Sequence, residues 1–468
     1  MGGIRALADG FPTPTQADWS RLVEKALKGA SAEGLIFRTP DGIALSPLYR
    51  DGEPLSAPRA ERGPDGAAWD IRTAVAHPDP TEAHRRLLDD LEGGATSAIV
   101  TPASAAWLSS ALEDVDLHLA AIALDAGFQG PQAAGWLNEA ARAAPLARLA
   151  FHLDPLTAFA VAGRSAGPVA AHIQAAAEAA ARLRPTYTEA SLFLATGRAV
   201  HEAGGSDAQE LAFTAASALA YAKAAVEAGL SVEAAFGGMV VGVSLDADQF
   251  GGIAKLRAAR LVVGRIAAAS GADAAVRIEA RSSARMLSRL DPWTNLLRLT
   301  AAGFAGAIGG ADAIVLDPFT RALGGSNALA RRLARNTQLI LMEEAHLARV
   351  ADPAAGAWFL DAYTRELAAD AWSLFQRIEA EGGAGLALVA GRLAAEVAEV
   401  RDRRREAVAS GAAPMVGVTL HPDLVGAHVE IQPDPPLAPV ETRLPGPDDA
   451  CPPLTPIRLA EPYEGTRP

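Results

Sequence analysis

The sequence predicts an α/β protein built on a (β/α)8 TIM barrel. Three observations lead there: β-rich apolar runs alternate with Ala-rich helical stretches, eight such runs occur, and they fall within roughly 250 residues, the usual span of that barrel. The runs are Trp69 to Ala74, Ser97 to Val100, His118 to Leu124, Ala147 to Leu153, Ala190 to Ala195, Met239 to Leu245, Ala275 to Ala280 and Ala307 to Leu316. A large open doubly wound sheet alternates in the same way, but eight strands at this spacing favour the closed form.

Helix boundaries agree with the alternation. Asp79 is placed to cap a helix that has Pro80 first and Glu82 returning the bond, with Gly93-Gly94 as its stop. Ser206 and Gln209 form a second capping-box pattern, opening a helix that runs to the breaker Gly229.

Residues 1–68 read as an N-terminal arm, with a short amphipathic helix over Trp19 to Leu27 and an irregular link over Pro54 to Gly66. The barrel is expected over 69–350. Helices packed on it are expected over 351–410, with Trp358, Tyr363, Trp372 and Phe375 on core faces. The last 58 residues hold 13 of the 31 prolines, which suits an extended linker or strap rather than a helix.

With 468 residues, half of them hydrophobic, the chain has ample material for a large core. A net charge of −13 argues against a nucleic-acid partner, because phosphate backbones select Lys and Arg. The single Cys451 makes no internal disulfide and no multi-thiolate metal site, so a cytoplasmic location is the default. Acidic residues near the N-terminus interrupt any secretory core. Pro102 and six Ser or Thr residues break the uncharged stretch from Gly93 to Leu112, so no membrane span is expected.

No Gly-Lys dipeptide occurs, hence no Walker loop, and His201-Glu202 lacks the second His that a zinc protease needs four positions on. Gly163-Arg164-Ser165-Ala166-Gly167 matches a nucleophile elbow. It would make Ser165 a hydrolase nucleophile if Phe159 to Val161 were a strand and His201, His346 or His421 a distant base. Pro168 and the abundance of Gly and Ala explain the same pattern as an ordinary turn.

His201 and Glu202 follow a strand end, where barrel enzymes keep their chemistry, or they bond the loop locally. Asp154 and Asp317, each before a Pro, either line the barrel mouth or cap the next turn. Lys255, Arg257, Arg260 and Arg265 recur at helical spacing and read as a solvated or interface face rather than an anion site.

Several segments in order carry a family resemblance. Phe11-Pro12, Asp18-Trp19, Lys25 to Gly29, Asp41-Gly42-Ile43 and Pro47-Leu48-Tyr49 resemble the N-terminal arm of methylmalonyl-CoA mutases. Trp69-Asp70-Ile71-Arg72 is similar to their first barrel strand, Ile253 to Arg260 to their sixth crossover helix, and Arg335 to Glu344 to their last. His201 to Ser206 belongs to the same likeness. It covers almost the whole chain and implies an adenosylcobalamin-dependent isomerase fold whose hard chemistry belongs to the cofactor.

The same likeness implies that catalytic parts are replaced. The position of a radical-confining Tyr is Ala74, and the Tyr-His pair that meets the substrate carbonyl falls on Arg198 and Ala199. The cobalamin motif Asp-x-His-x-x-Gly is matched only by Asp116-Leu117-His118, which runs on to Ala121 inside an expected strand.

The resemblance therefore implies a non-catalytic small, or beta, subunit of a heterodimeric mutase that interconverts methylmalonyl-CoA and succinyl-CoA. The expected partner is the large, or alpha, subunit, which would hold both the acyl-CoA and the adenosylcobalamin. No catalytic residue, cofactor or metal is then expected on this chain. His201, Glu202 and Asp317 are the candidates if the barrel is instead an active acyl-CoA mutase served by a separate cobalamin-binding chain, and Ser165 is the candidate if it is a hydrolase.

Overall fold

Eight parallel strands close on one another: β1 (Asp70–Val75), β2 (Ser97–Val100), β3 (Ala121–Leu124), β4 (Leu149–Leu153), β5 (Ser191–Thr196), β6 (Met239–Leu245), β7 (Arg277–Ser282) and β8 (Ala313–Val315). Their order around the ring is sequential, with β8 pairing both β7 and β1. This computed structural model describes all residues except 1–10, 12–13, 51, 56–67, 145, 348, 423–428, 438–439 and 466–468. Most of the link expected over Pro54 to Gly66 lies outside the described residues, as does Pro12 of the arm.

All eight expected strands are present: two keep the expected limits, four shift by one or two residues, and the third and eighth begin three and six residues later. The third begins at Ala121 because the Asp116 carboxylate accepts the His118 N–H at 2.9 Å, making a local turn of 116–118. Ala307 belongs to a helix that continues to Gly309 and ends on Gly310 at φ +82, so β8 is three residues long. An apolar, Ala-rich run carries no period that separates helix from buried strand.

A helix follows each strand: α1 (Pro80–Glu92), α2 (Ala105–Ala111), α3 (Gly130–Ala140), α4 (Val169–Leu183), α5 (Asp207–Glu227), α6 (Gln249–Ala269), α7 (Thr294–Gly309) and α8 (Ala328–Leu339). Asp79 caps α1 through the Thr81 N–H, but Glu82 does not return the bond. Its carboxylate is taken by Arg85 and Arg86 at 2.7–2.8 Å, and charge-assisted bonds outcompete a neutral amide. The Ser206–Gln209 capping box opens α5 as the spacing predicts.

The ring is locked where its ends meet. Arg335 on α8 reaches Asp90 on α1 at 2.6 Å and the Gly93 carbonyl at 2.7 Å, and the Trp69 indole N–H donates to Gln338. A π-helical turn, Ile340–Glu344, follows α8.

After the barrel come α9 (Trp358–Ala380), α10 (Ala384–Val389) and α11 (Arg392–Ala409). The long α9 lies across α5 and α6, so of the solvated or interface face expected for the basic residues of α6, packing against another element is what three of them adopt. Lys255, Arg257 and Arg260 are each about 2% exposed or less. Arg257 pairs with Asp361 on α9 at 2.8 Å, Arg260 donates to the Gly309 carbonyl, and Arg265 stacks over Trp372 at 4.0 Å. Tyr363 and Phe375 are buried as expected and Trp372 is half-buried, but Trp358 at the start of α9 stays exposed.

The proline-rich segment is an ordered strap where it is described. Asp449–Ala450 pairs antiparallel with Arg164–Ser165, and Gln432–Pro433 with Gly325–Ser326. Leu454, Ile457 and Leu459 donate their N–H groups to the carbonyls of Ala160, Glu202 and Arg285. These acceptors lie in the loops and short helices beyond the carboxyl ends of the strands, so the strap borders the barrel mouth.

Candidate functional site

A cavity of about 510 Å³ opens at the carboxyl ends of the strands, where (β/α)8 enzymes place their chemistry. A neighbouring cavity of about 350 Å³ beneath the β8–α8 loop shares Arg281, Asp317 and Arg321 with it.

The floor of the larger cavity is charged. Arg72 of β1 donates to Glu279 of β7 at 2.5 Å and to the Ser97 hydroxyl at 2.9 Å. Both members of the ion pair are less than a tenth exposed. Burial opposes ionisation of Glu279, but the neighbouring His152 ring and Arg72 guanidinium outweigh it and hold the carboxyl at about 2.

His152 sits beside them on β4 with φ +45, at a point where the β4–β5 register shifts. A non-glycine residue in the left-handed region inside a barrel strand is strained, and such strain concentrates at functional sites. Its Nε2 has no partner among the described residues, and burial pushes its pKa down to about 4, so the ring is neutral at physiological pH.

The rim carries Arg198, Glu202, Asp317 and Arg321. The short helix Arg198–Glu202 follows β5 and places its two end residues on the cavity. Asp317 accepts from the Ser282 hydroxyl at 3.2 Å and from Arg321 at 2.7 Å. Asp154 does both things its position allowed: it caps the helix Pro155–Ala162 through the Thr157 N–H, and it lines the cavity. Burial raises its carboxyl to about 6 while the Tyr221 hydroxyl donates to it at 2.6 Å.

Of the three sequence candidates, Glu202 and Asp317 meet at the mouth and His201 does not. His201 is fully buried beneath it, 3.0 Å from Glu210 and 3.3 Å from the Lys255 Nζ. Burial first, then the charges of Arg285 and Lys255, lower its pKa.

His201, Asp207 and Glu210 bring ligand atoms within 4.8 Å of one another, a grouping invisible in the sequence. The Lys255 ammonium, 2.9 Å from Asp207 and 2.8 Å from Glu210, takes the place a cation would fill. Burial opposes that charge, and the carboxylates of Asp207 and Glu210 outweigh it, raising the Lys255 pKa.

Ser165 is not a nucleophile elbow. The segment before it is the helix Pro155–Ala162 rather than a strand, and Ser165 is 2% exposed, its hydroxyl donating to the Gly167 carbonyl at 2.7 Å. Asp116 and His118 lie in an exposed turn before β3, at the end of the barrel opposite the mouth. Ala74 lines the smaller cavity, and Arg198 and Ala199 line the larger one.

His152, Glu279, Arg281 and Arg321 were not anticipated. The signals available were a His in the β4 run and the alternation of Glu279 and Arg281 on β7, which puts both on one face of the strand.

The methylmalonyl-CoA mutase family matches residues 136–435 of this chain. The methylmalonyl-CoA mutase small subunit of Streptomyces virginiae is 39% identical over 92% of this chain and 74% of its own length. That of Propionibacterium freudenreichii subsp. shermanii is 32% identical, covering 92% and 72%. The methylmalonyl-CoA mutase of Rhizobium meliloti is 29% identical, covering 86% and 63%.

Proposed function

The chain belongs to the methylmalonyl-CoA mutase family, and from that premise we propose that it is the non-catalytic small subunit of a heterodimeric mutase, stabilising a large catalytic subunit. The complex would interconvert methylmalonyl-CoA and succinyl-CoA, with adenosylcobalamin and acyl-CoA held by the partner.

The arm carries this reading. Its helix Gln16–Ala26 is capped at both backbone and side chain by Thr15 and Asp18, yet none of its residues is buried. Leu22 is 63% exposed and Phe37 60%. The arm is nonetheless attached to the barrel: Ile43 and Leu45 are buried in its main core, and Asp41 accepts the Ala208 N–H at the start of α5. An amphipathic helix with none of its residues buried, on an arm anchored to the body through Asp41, Ile43 and Leu45, is a surface prepared for another chain, because stable interfaces bury such patches.

The mouth supports the same division of labour. A radical rearrangement needs an inert, aromatic or apolar wall around the reacting carbon. Here the positions matched to the family's Tyr and Tyr-His carry Ala74, Arg198 and Ala199, beside Glu279, whose carboxylate Arg72 holds in an ion pair. The described residues do not fit adenosylcobalamin: His152, the one histidine lining the larger cavity, is recessed in β4, and His118 is at the far end of the barrel. No helix among the described residues is long and apolar enough to cross a membrane.

Co-expression with a large mutase subunit tests the proposal. The expected result is a stable 1:1 complex by mass measurement, lost when Leu22→Asp and Phe37→Asp are combined. Recovery of this chain as a stable monomer beside a free large subunit contradicts it. The retained mouth cavity favours one alternative, an active barrel served by a separate cobalamin-binding chain, and turnover with such a chain alone would identify it.

A further inference from the structure

Charged groups at the mouth carry hydrogen-bonding capacity that no described residue uses. Glu202 is 8% exposed and lines the larger cavity, and both its carboxylate oxygens lack a partner among the described residues. Arg198 stands four residues earlier on the same short helix, a spacing at which opposite charges pair, yet its Nε is buried and unpartnered as well. The Nε of Arg281 is in the same state, and among the described residues the carboxylate closest to its guanidinium, on Asp125, is 3.8 Å from Nη1. Native proteins rarely leave such groups buried and unsatisfied, and where they do an external partner is the first explanation.

The other buried acids of this cavity are spent. Glu279 is held by Arg72, Asp317 by Arg321 and Ser282, and Asp154 by Tyr221 and Thr157. Glu202 alone among these four waits for a donor. Leu124, Ala158, Val161 and Leu194 give the same cavity an apolar wall, and its volume is in the range that takes a small organic ligand.

We propose that the mouth binds a zwitterionic α-amino acid with an apolar side chain: Glu202 takes the ammonium, Arg198 and Arg281 take the carboxylate, and the apolar wall takes the side chain. A simple anion would face the Glu202 carboxylate and leave it unsatisfied. A simple amine would leave the guanidinium nitrogens unsatisfied. A molecule with both charged groups on one carbon and an apolar tail satisfies all three features. This binding goes beyond the subunit role and stands without it.

Calorimetric titration of the full chain with L-leucine, 4-methylpentanoate and 3-methylbutylamine separates the ends of the ligand. L-leucine is expected to bind at least about tenfold more tightly than either one-ended analogue, since each lost charged contact leaves its protein partner unpaired. Glu202→Gln is expected to weaken leucine about tenfold while leaving 4-methylpentanoate unchanged, and Arg198→Met to weaken both. Absence of leucine binding, equal affinity for leucine and an analogue, or a folded Glu202→Gln variant that binds leucine as before overturns the proposal. If either variant fails to fold, the order of the three ligands on the unaltered chain decides.

Discussion

Arg72 and Glu279 face each other at 2.5 Å in the barrel interior, one from β1 and the other from β7, with Ser97 holding the guanidinium from β2. Three strands thus meet on one buried arginine. Such a pair contributes little over a well-packed apolar replacement, but breaking it leaves a charge stranded in low dielectric.

Glu279→Gln and Arg72→Met are therefore each predicted to destabilise the chain by about 3–5 kcal/mol, and the double variant by less than their sum. Urea unfolding followed by circular dichroism measures this. Additive losses would show that the two side chains do not act as a pair.

Lys255→Met is predicted to cost a similar amount, about 3–5 kcal/mol, because Asp207 and Glu210 then keep their charges without the ammonium that both now contact. Thermal unfolding checks it. A melting temperature equal to that of the unaltered chain would mean the network tolerates an uncompensated acid.

The arm is predicted to dock more firmly at mildly acidic pH. Burial, then the nearby Asp207 charge, raises the Asp41 carboxyl from 3.8 to about 6. For a carboxyl raised on folding, the stabilisation is complete below the unfolded value and is lost as pH climbs through about 6. Amide exchange in 35–48, corrected for intrinsic rates, should show more protection at pH 5 than at pH 7.5, and Asp41→Asn should flatten the difference. More protection at the higher pH would reverse the assignment.

Ser165→Ala is predicted to cost only about 1 kcal/mol, the worth of one hydrogen bond, with no ester cleavage before or after the change. Ester hydrolysis by the unaltered chain, abolished by this substitution, would restore the nucleophile.

Local chemistry was legible and distant pairing was not. The eight strands, the Ser206–Gln209 box and the mouth positions of Glu202 and Asp317 follow from patterns within a few residues. The Arg72–Glu279 contact joins positions 207 apart, and nothing near either residue announces the other. The basic face of α6 stayed open between solvent and interface for the same reason: α9, which covers it with Asp361, begins about a hundred residues later. Glu82 shows the limit at short range, since a capping-box spacing lost its acid to two arginines on the next turn. The left-handed His152 is a tertiary effect, imposed where β4 and β5 slip register.

Turnover of methylmalonyl-CoA with adenosylcobalamin, measured for this chain alone, for a large mutase subunit alone and for their mixture, tests the division of labour most directly. The account predicts no succinyl-CoA from this chain, and greater yield or lifetime of activity from the mixture than from the large subunit by itself. Succinyl-CoA formed by this chain alone would contradict it.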